Sequence, residues 1–337
     1  MPLNQVYRTL THSKEPSIRW KARVLIAGED RASRGIQALG REIRRSPRVR
    51  ALLVRRDSRG LLRGVANPYS KWQGAHWVLA SLADLGYPAR DRSLHAMRDE
   101  VLDWWLAPPY RREFDAATAA QSYGGNGVPR IRGRYRRCAS QQGNALYSLE
   151  RLGLADKRSE DLAERLLHWQ WPDGGWNCDR NPSADSSSFW ETRHAMLGLA
   201  LYAERTKNSV ARDAAVRAAE VFLSRELFLG RRSHRVINNE FVSLHYPLYY
   251  YYDIVAGLKA MAEIGLIRDP RCEKALDLLE RKQLPGGGWG AEQRFYRVAS
   301  RIKTRADYVD WGGTSKTTPN GWVTADALYV LKASGRA

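Results

Sequence analysis

Glu191 and His194 stand three residues apart, so on a helix they share a face. A carboxyl buried on such a face has its pKa raised, and a neighbouring imidazole can hold or reload its proton. That pairing suits a general acid. A second carboxylate, Asp253, follows the run Tyr249 to Tyr252 and opens an apolar stretch. His245 precedes Tyr246-Pro247, where a proline-directed turn aims it inward, and His76 lies between Gln73 and Trp77. Each has a structural alternative. Glu191 can complete a capping box with Ser188, Asp253 can sit at the positive end of a helix dipole, and a lone His is commonly satisfied structure.

Aromatic residues surround these candidates. Trp72, Trp77, Trp190, Tyr249 to Tyr252 (Tyr250 among them), Trp311 and Trp322 gather at the starts of predicted apolar helices or in adjoining loops. Aromatic faces stabilise cations and shape apolar pockets, although the same rings also pack helical hairpins together. Cys138 and Asn144 bracket another such start, where a helix N-terminus would stabilise a thiolate. Cys138, Cys178, His194 and His245 make a conceivable mixed metal site, but their separations are long and no spacing demands it. No metal and no cofactor are therefore expected. Three cysteines without a C-x-x-C pair suggest neither a disulfide framework nor a structural zinc site.

The elements that must position these residues are marked by a phrase that occurs twice. Gln170-Trp171-Pro172-Asp173-Gly174-Gly175-Trp176 and Gln283-Leu284-Pro285-Gly286-Gly287-Gly288-Trp289 both read Q-x-x-x-G-x-W and both end a helical stretch. Glycine admits positive φ at the turn, and Trp lays an apolar plate over it. Apolar helices entered near Trp77, Asn144, Thr192, Asp253 and Thr324 alternate with charged, amphipathic ones. No strand pattern competes. The chain reads as all-α, with apolar helices inside, amphipathic helices outside and the inner-helix starts converging on one end of a cavity. Residues 1–16 read as a loose leader within a basic N-terminal helical extension, 1–60, and 61–337 as one (α/α) toroid domain.

The formal charge of +19 comes from 55 basic and 36 acidic residues, with arginine far outnumbering lysine. A solvated basic surface is the plainer reading; attraction to nucleic acid, an anionic membrane surface or an acidic protein is the other. No segment reads as a membrane span or signal peptide, so a cytoplasmic protein, peripheral at a membrane if anywhere near one, is expected.

From about Tyr69 onward, the two Gly/Trp phrases and the helix alternation resemble the superfamily of squalene–hopene cyclases, oxidosqualene cyclases and protein prenyltransferase β subunits. The resemblance implies an (α/α) toroid of five or six hairpins around an aromatic cavity that binds an isoprenoid or other hydrophobic small molecule. It also implies protonation-initiated cyclisation or isomerisation, with Glu191 or Asp253 as acid and His194 beside it. His76, Trp77, Cys138, Asn144, Trp190, His245, Tyr250, Trp311 and Trp322 would line the ligand site. The chain departs from the family at its acidic motifs, having neither D-x-D-D nor D-D-x-x-D. A transferase acting on a prenyl diphosphate held by Arg130, Arg132, Arg134, Arg136 and Arg137 is a weaker alternative.

Overall fold

The computed structural model describes residues 3–337, and its described part is mostly helical. The N-terminal helices are α1 (Leu3–Thr11), α2 (Pro16–Trp20), which runs on into a π-helical segment Lys21–Ile26, α3 (Arg34–Arg45) and α4 (Pro47–Leu53). Then come α5 (Ala75–Asp84), α6 (His95–Leu106), α7 (Ala119–Gly124), α8 (Ala139–Arg151), α9 (Arg158–Trp169) and α10 (Phe189–Thr206). The last four are α11 (Ser209–Leu223), α12 (Ile254–Glu263), α13 (Glu273–Arg281) and α14 (Gly321–Ser334). The leader expected over residues 1–16 is instead helical from Leu3, because Val6 and Leu10, one turn apart, reach the core; Met1 and Pro2 fall outside the described residues.

The expectation of no strands is corrected by two small sheets in the connections. In one, β1 (Glu113–Asp115) runs parallel to β2 (Val128–Ile131), which pairs antiparallel with β3 (Arg134–Tyr135). In the other, β4 (Arg297–Val298) pairs in parallel with β5 (Ala306–Asp307). No described helix is long and apolar enough to cross a membrane.

Packing follows the alternation in the sequence. The apolar helices touch in series, α5 on α8, α8 on α10, α10 on α12 and α12 on α14, and α14 meets α1, α2 and the π-helical segment. The amphipathic helices α6, α9, α11 and α13 each back onto members of that series. The tightest contact is between α8 and α10. A Cβ on Gly143 would lie 2.4 Å from the Ala195 backbone, so only glycine lets these helices approach so closely.

The repeated phrase proves to be a hydrogen-bonded clip from an amphipathic helix to the next apolar one. The Trp176 indole donates to the Leu166 carbonyl at 2.9 Å, and the Trp289 indole to that of Leu279 at 2.8 Å, each ten residues back. The Trp176 backbone N–H donates to Thr192 Oγ1 at 3.2 Å, and the Trp289 N–H to Thr324 Oγ1 at 3.0 Å. Gly174 makes the first turn at φ +94° and Gly288 the second at +76°, values that favour glycine. The tryptophans buried beyond 98% (Trp72, Trp77, Trp105, Trp169, Trp176, Trp289 and Trp311) all have a partner for the indole N–H, which makes their burial favourable.

Thr192→Val or Thr324→Val would leave a buried backbone N–H without its acceptor. Each is expected to lower unfolding free energy by about 1–3 kcal/mol in a denaturant titration, and Thr→Ser to recover most of the loss. Unchanged midpoints in both valine variants would show that the clip contributes nothing.

Candidate active site

The α8–α10 contact and the first clip bring three chemically active side chains together. Cys138 is the N-cap residue of α8, Glu191 lies in the first turn of α10, and Cys178 follows Trp176 by two residues in the loop between. Their ligating atoms all lie within 4.8 Å of one another. Glu191 is buried, whereas both cysteines are half-buried.

The two carboxylate oxygens of Glu191 have different partners. Oε2 accepts from the Ser140 backbone N–H at 3.0 Å and from its hydroxyl at 2.8 Å. Oε1 faces the Cys178 thiol at 3.4 Å. Glu191 therefore caps the neighbouring helix α8 rather than its own; Ser188, N-cap of α10, makes no side-chain cap hydrogen bond. Burial raises the Glu191 pKa, and the Ser140 and Cys178 contacts and the Arg137 charge oppose that rise. The Cys178 thiol is also pushed up, by the hydrogen bond with Cys138, by burial and by Glu191.

The second clip serves as an internal comparison. Its positions equivalent to Cys178 and Glu191, two after the Trp and one before the Thr, are Ala291 and Val323. The clip forms equally well with apolar residues there. The clip itself therefore does not require the thiol and carboxyl at these positions, and the cluster stands as a candidate for function.

Beside the cluster is an aromatic wall that already holds a cation. The Lys71 ammonium sits 4.0 Å from the Tyr250 ring centre, 5.2 Å from Trp72 and 6.0 Å from Tyr69. Burial, then the Arg305 charge, lowers the Lys71 pKa, while Cys138 and Glu191 act in the opposite sense. Trp72 packs edge-on against Trp77 at 4.6 Å and tilts over Tyr249 at 4.7 Å. Arg137 completes the surroundings, its guanidinium 4.7 Å from the Tyr110 ring centre.

The other expected site residues do not join the cluster. His194 does not pair with Glu191; it lines a separate internal cavity, and burial holds its pKa well down. Asp253 caps α12 through the Ala256 N–H at 2.8 Å and accepts the His245 N–H at 2.8 Å, with the His245 ring 2.7 Å away. His76 accepts the Trp105 indole N–H at 3.1 Å, and burial pushes its pKa down to about 3, leaving it neutral. Asn144 donates to the Tyr249 carbonyl, Trp77 to that of Tyr69, and Trp322 stacks on Tyr246. Trp190 is half-buried on an open cleft with Phe189, Val236, Ile237 and Phe241. Of the arginines put forward for a diphosphate, Arg130 pairs with Asp115, Arg134 and Arg136 lie over the Trp171 ring and Arg137 over Tyr110.

Sequence reasoning missed Lys71, Ser140, Tyr69 and the partnership of Cys178 with Glu191. A usable signal was present. Cys178 and Glu191 occupy the two positions where the first Gly/Trp repeat departs chemically from the second.

The enclosed cavity among the apolar helices is small, about 40 Å³, and is bordered by Asp84, Arg193, His194, Tyr246 and Lys259. That is room for about three or four waters at about 10–15 Å³ each, in mixed surroundings to which Ala80, Leu197, Pro247 and Ala256 also contribute. Against the aromatic wall, Asp307 accepts from the Trp311 indole at 2.8 Å and the Tyr249 hydroxyl at 3.2 Å. Burial pushes its pKa from 3.8 up to about 6, against the pull of these hydrogen bonds.

A folded-state pKa above the unfolded one means that Asp307 supports the fold below about pH 4 and that this support is lost as pH rises through about 6. A shift of about two units corresponds to about 3 kcal/mol. The unfolding free energy of wild type relative to Asp307→Asn should fall by about that amount between about pH 4 and pH 7. A difference that stays flat across this range would refute the assignment.

A scan against protein-family models finds no match, and no curated protein matches the chain significantly.

Proposed function

We propose that the chain is a terpene-cyclase-like (α/α) toroid that binds an isoprenoid or other apolar ligand at its aromatic end. There it starts cyclisation or isomerisation by electrophilic attack on the ligand. The Cys138–Cys178–Glu191 cluster meets the ligand's reactive atom, and the wall of Tyr69, Trp72 and Tyr250 stabilises the positive charge that develops. The observation that carries this reading is the seating of the Lys71 ammonium on that wall, beside a carboxyl and two thiols that converge from three elements. Aromatic faces attract a cation whatever its chemistry, and desolvation strengthens the attraction. The series of helix contacts from α5 round to α14 and the N-terminal helices supports the ring architecture.

The ligand's place is the half-open end, since the internal cavity beside His194, about 40 Å³, is too small for an isoprenoid. The cleft along Trp190, Val236, Ile237 and Phe241, about 800 Å³ and open to solvent, offers apolar surface next in sequence to Glu191. Native mass spectrometry with organic extraction of protein from its own host should reveal a co-purifying apolar compound, lost in Tyr250→Ala or Trp190→Ala. With that compound or its precursor as substrate, Glu191→Gln should reduce turnover by about 10²–10⁴-fold while the fold is kept. A protein that carries no apolar compound, with wild type and variants alike, would end this reading.

A second reading, recognition of a polyanion, is favoured by the exposure of Arg41, Arg45, Arg50, Arg59 and Arg63 along one basic stretch. It predicts DNA or anionic-vesicle binding that weakens steeply with salt and is indifferent to Glu191→Gln. Salt-independent or absent binding would remove it.

A further inference from the structure

We infer that Cys138, Cys178 and Glu191 form a binding site for a divalent metal ion of the zinc class, with a fourth position left for water or substrate. Two sulfurs and one oxygen converge from three separate elements, the start of α8, the loop after the first clip and the first turn of α10. Ligands sharing a tetrahedral zinc at bonds of about 2.0–2.3 Å stand roughly 3.5–3.8 Å apart. The Cys178 Sγ to Glu191 Oε1 distance is 3.4 Å, and no pair in the cluster exceeds 4.8 Å. Closure onto an ion therefore requires side-chain adjustment on the order of 1 Å.

The surroundings are arranged as a ligand set requires. Ser140 holds Oε2 with its backbone N–H and hydroxyl, which leaves Oε1 facing the Cys178 sulfur. Such outer hydrogen bonds orient ligating carboxylates and are a regular part of metal sites. Two thiolates and a carboxylate carry three negative charges, so a divalent ion leaves one. Arg137 and Lys71, whose charges act on Cys138 and Glu191, more than offset it. Sulfur donors select zinc, iron(II) or cobalt(II) over magnesium or calcium. Both cysteines are partly exposed, so an ion can reach them from solvent. The equivalent positions of the second repeat, Ala291 and Val323, have no donor atoms in their side chains.

The inference deepens the proposed function by naming the electrophile at the aromatic end, and in that respect it rests on that reading; the metal site itself does not. The test uses the full chain, stripped with chelator and titrated with Zn²⁺ and then Co²⁺. One equivalent of metal per chain is expected, with thiolate-to-cobalt charge-transfer absorption. Cys138→Ser, Cys178→Ser and Glu191→Gln should each abolish stoichiometric binding, and Ser140→Ala should weaken it about 10–100-fold. Cys272→Ser, at the remaining and buried cysteine, should change nothing; circular dichroism confirms that each variant is folded. Folded wild-type protein that takes up no metal in its reduced state, or metal that stays in the Cys138 and Cys178 variants, would overturn the inference. Metal bound without any apolar ligand would sink the ligand reading and leave the site standing, while ligand without metal would do the reverse.

Discussion

Four charges, three of them buried and the fourth, Asp84, partly exposed, hold the two ends of the chain to its middle. Lys21 donates to Asp84 at 2.8 Å and Asp326 at 3.0 Å, and Lys259 does the same at 2.8 and 3.0 Å. Tyr246 adds its hydroxyl to Asp84 at 2.6 Å. Lys21 comes from the π-helical segment, Asp84 from the end of α5, Lys259 from α12 and Asp326 from α14. Charges withdrawn from water are tolerated only when paired and hydrogen-bonded, and losing one partner leaves another stranded. The cluster is neutral as a set, two cations against two anions, so it is stable only when all four elements are docked. Asp84, Tyr246 and Lys259 of this cluster also border the small internal cavity.

The Cys138, Cys178 and Glu191 cluster lies apart from these charges, at the starts of α8 and α10 and in the loop before α10. The first Gly/Trp clip fixes the start of α10 against the preceding loop through Trp176 and Thr192. The same geometry sets Cys178 and Glu191 side by side, because each lies one or two residues from a clip residue. Gly143 admits the close approach of α8 to α10, and that approach delivers Cys138 and Ser140 to Glu191. Fold and site thus share one set of contacts. In the second clip those contacts persist with Ala291 and Val323, so the structural device is separable from the chemistry.

The aromatic wall and the cluster are complementary in charge. Tyr69, Trp72 and Tyr250 present ring faces to a cation, and Arg137 and Lys71 offset the negative charge of a deprotonated cluster. Tyr249 and Trp311, behind the wall, are held by a carboxyl, Asp307, that burial keeps partly protonated near neutral pH. A rigid wall and a reactive group next to it are what directed chemistry on an apolar molecule requires.

The helices, their alternation and the repeated clip were legible in the sequence, because periodicity, glycine turns and capping residues act over a few neighbours. Thr192 and Thr324, which serve as landmarks in the sequence, are the hydroxyls that the clips use. Glu191 and Cys138 were also legible as individual candidates, since both sit at helix starts. Tertiary packing alone decided which candidates meet. It placed Cys178 with Glu191 and sent His194 to an inner cavity, and it engaged Asp253 as the cap of α12. It also gathered Lys21, Asp84, Lys259 and Asp326 from across the chain. Local sequence sets the conformation of each segment, but a site joining residues 138, 178 and 191 depends on the relative placement of whole helices. That placement is fixed by burial and charge pairing over the entire core, which no short stretch of sequence encodes.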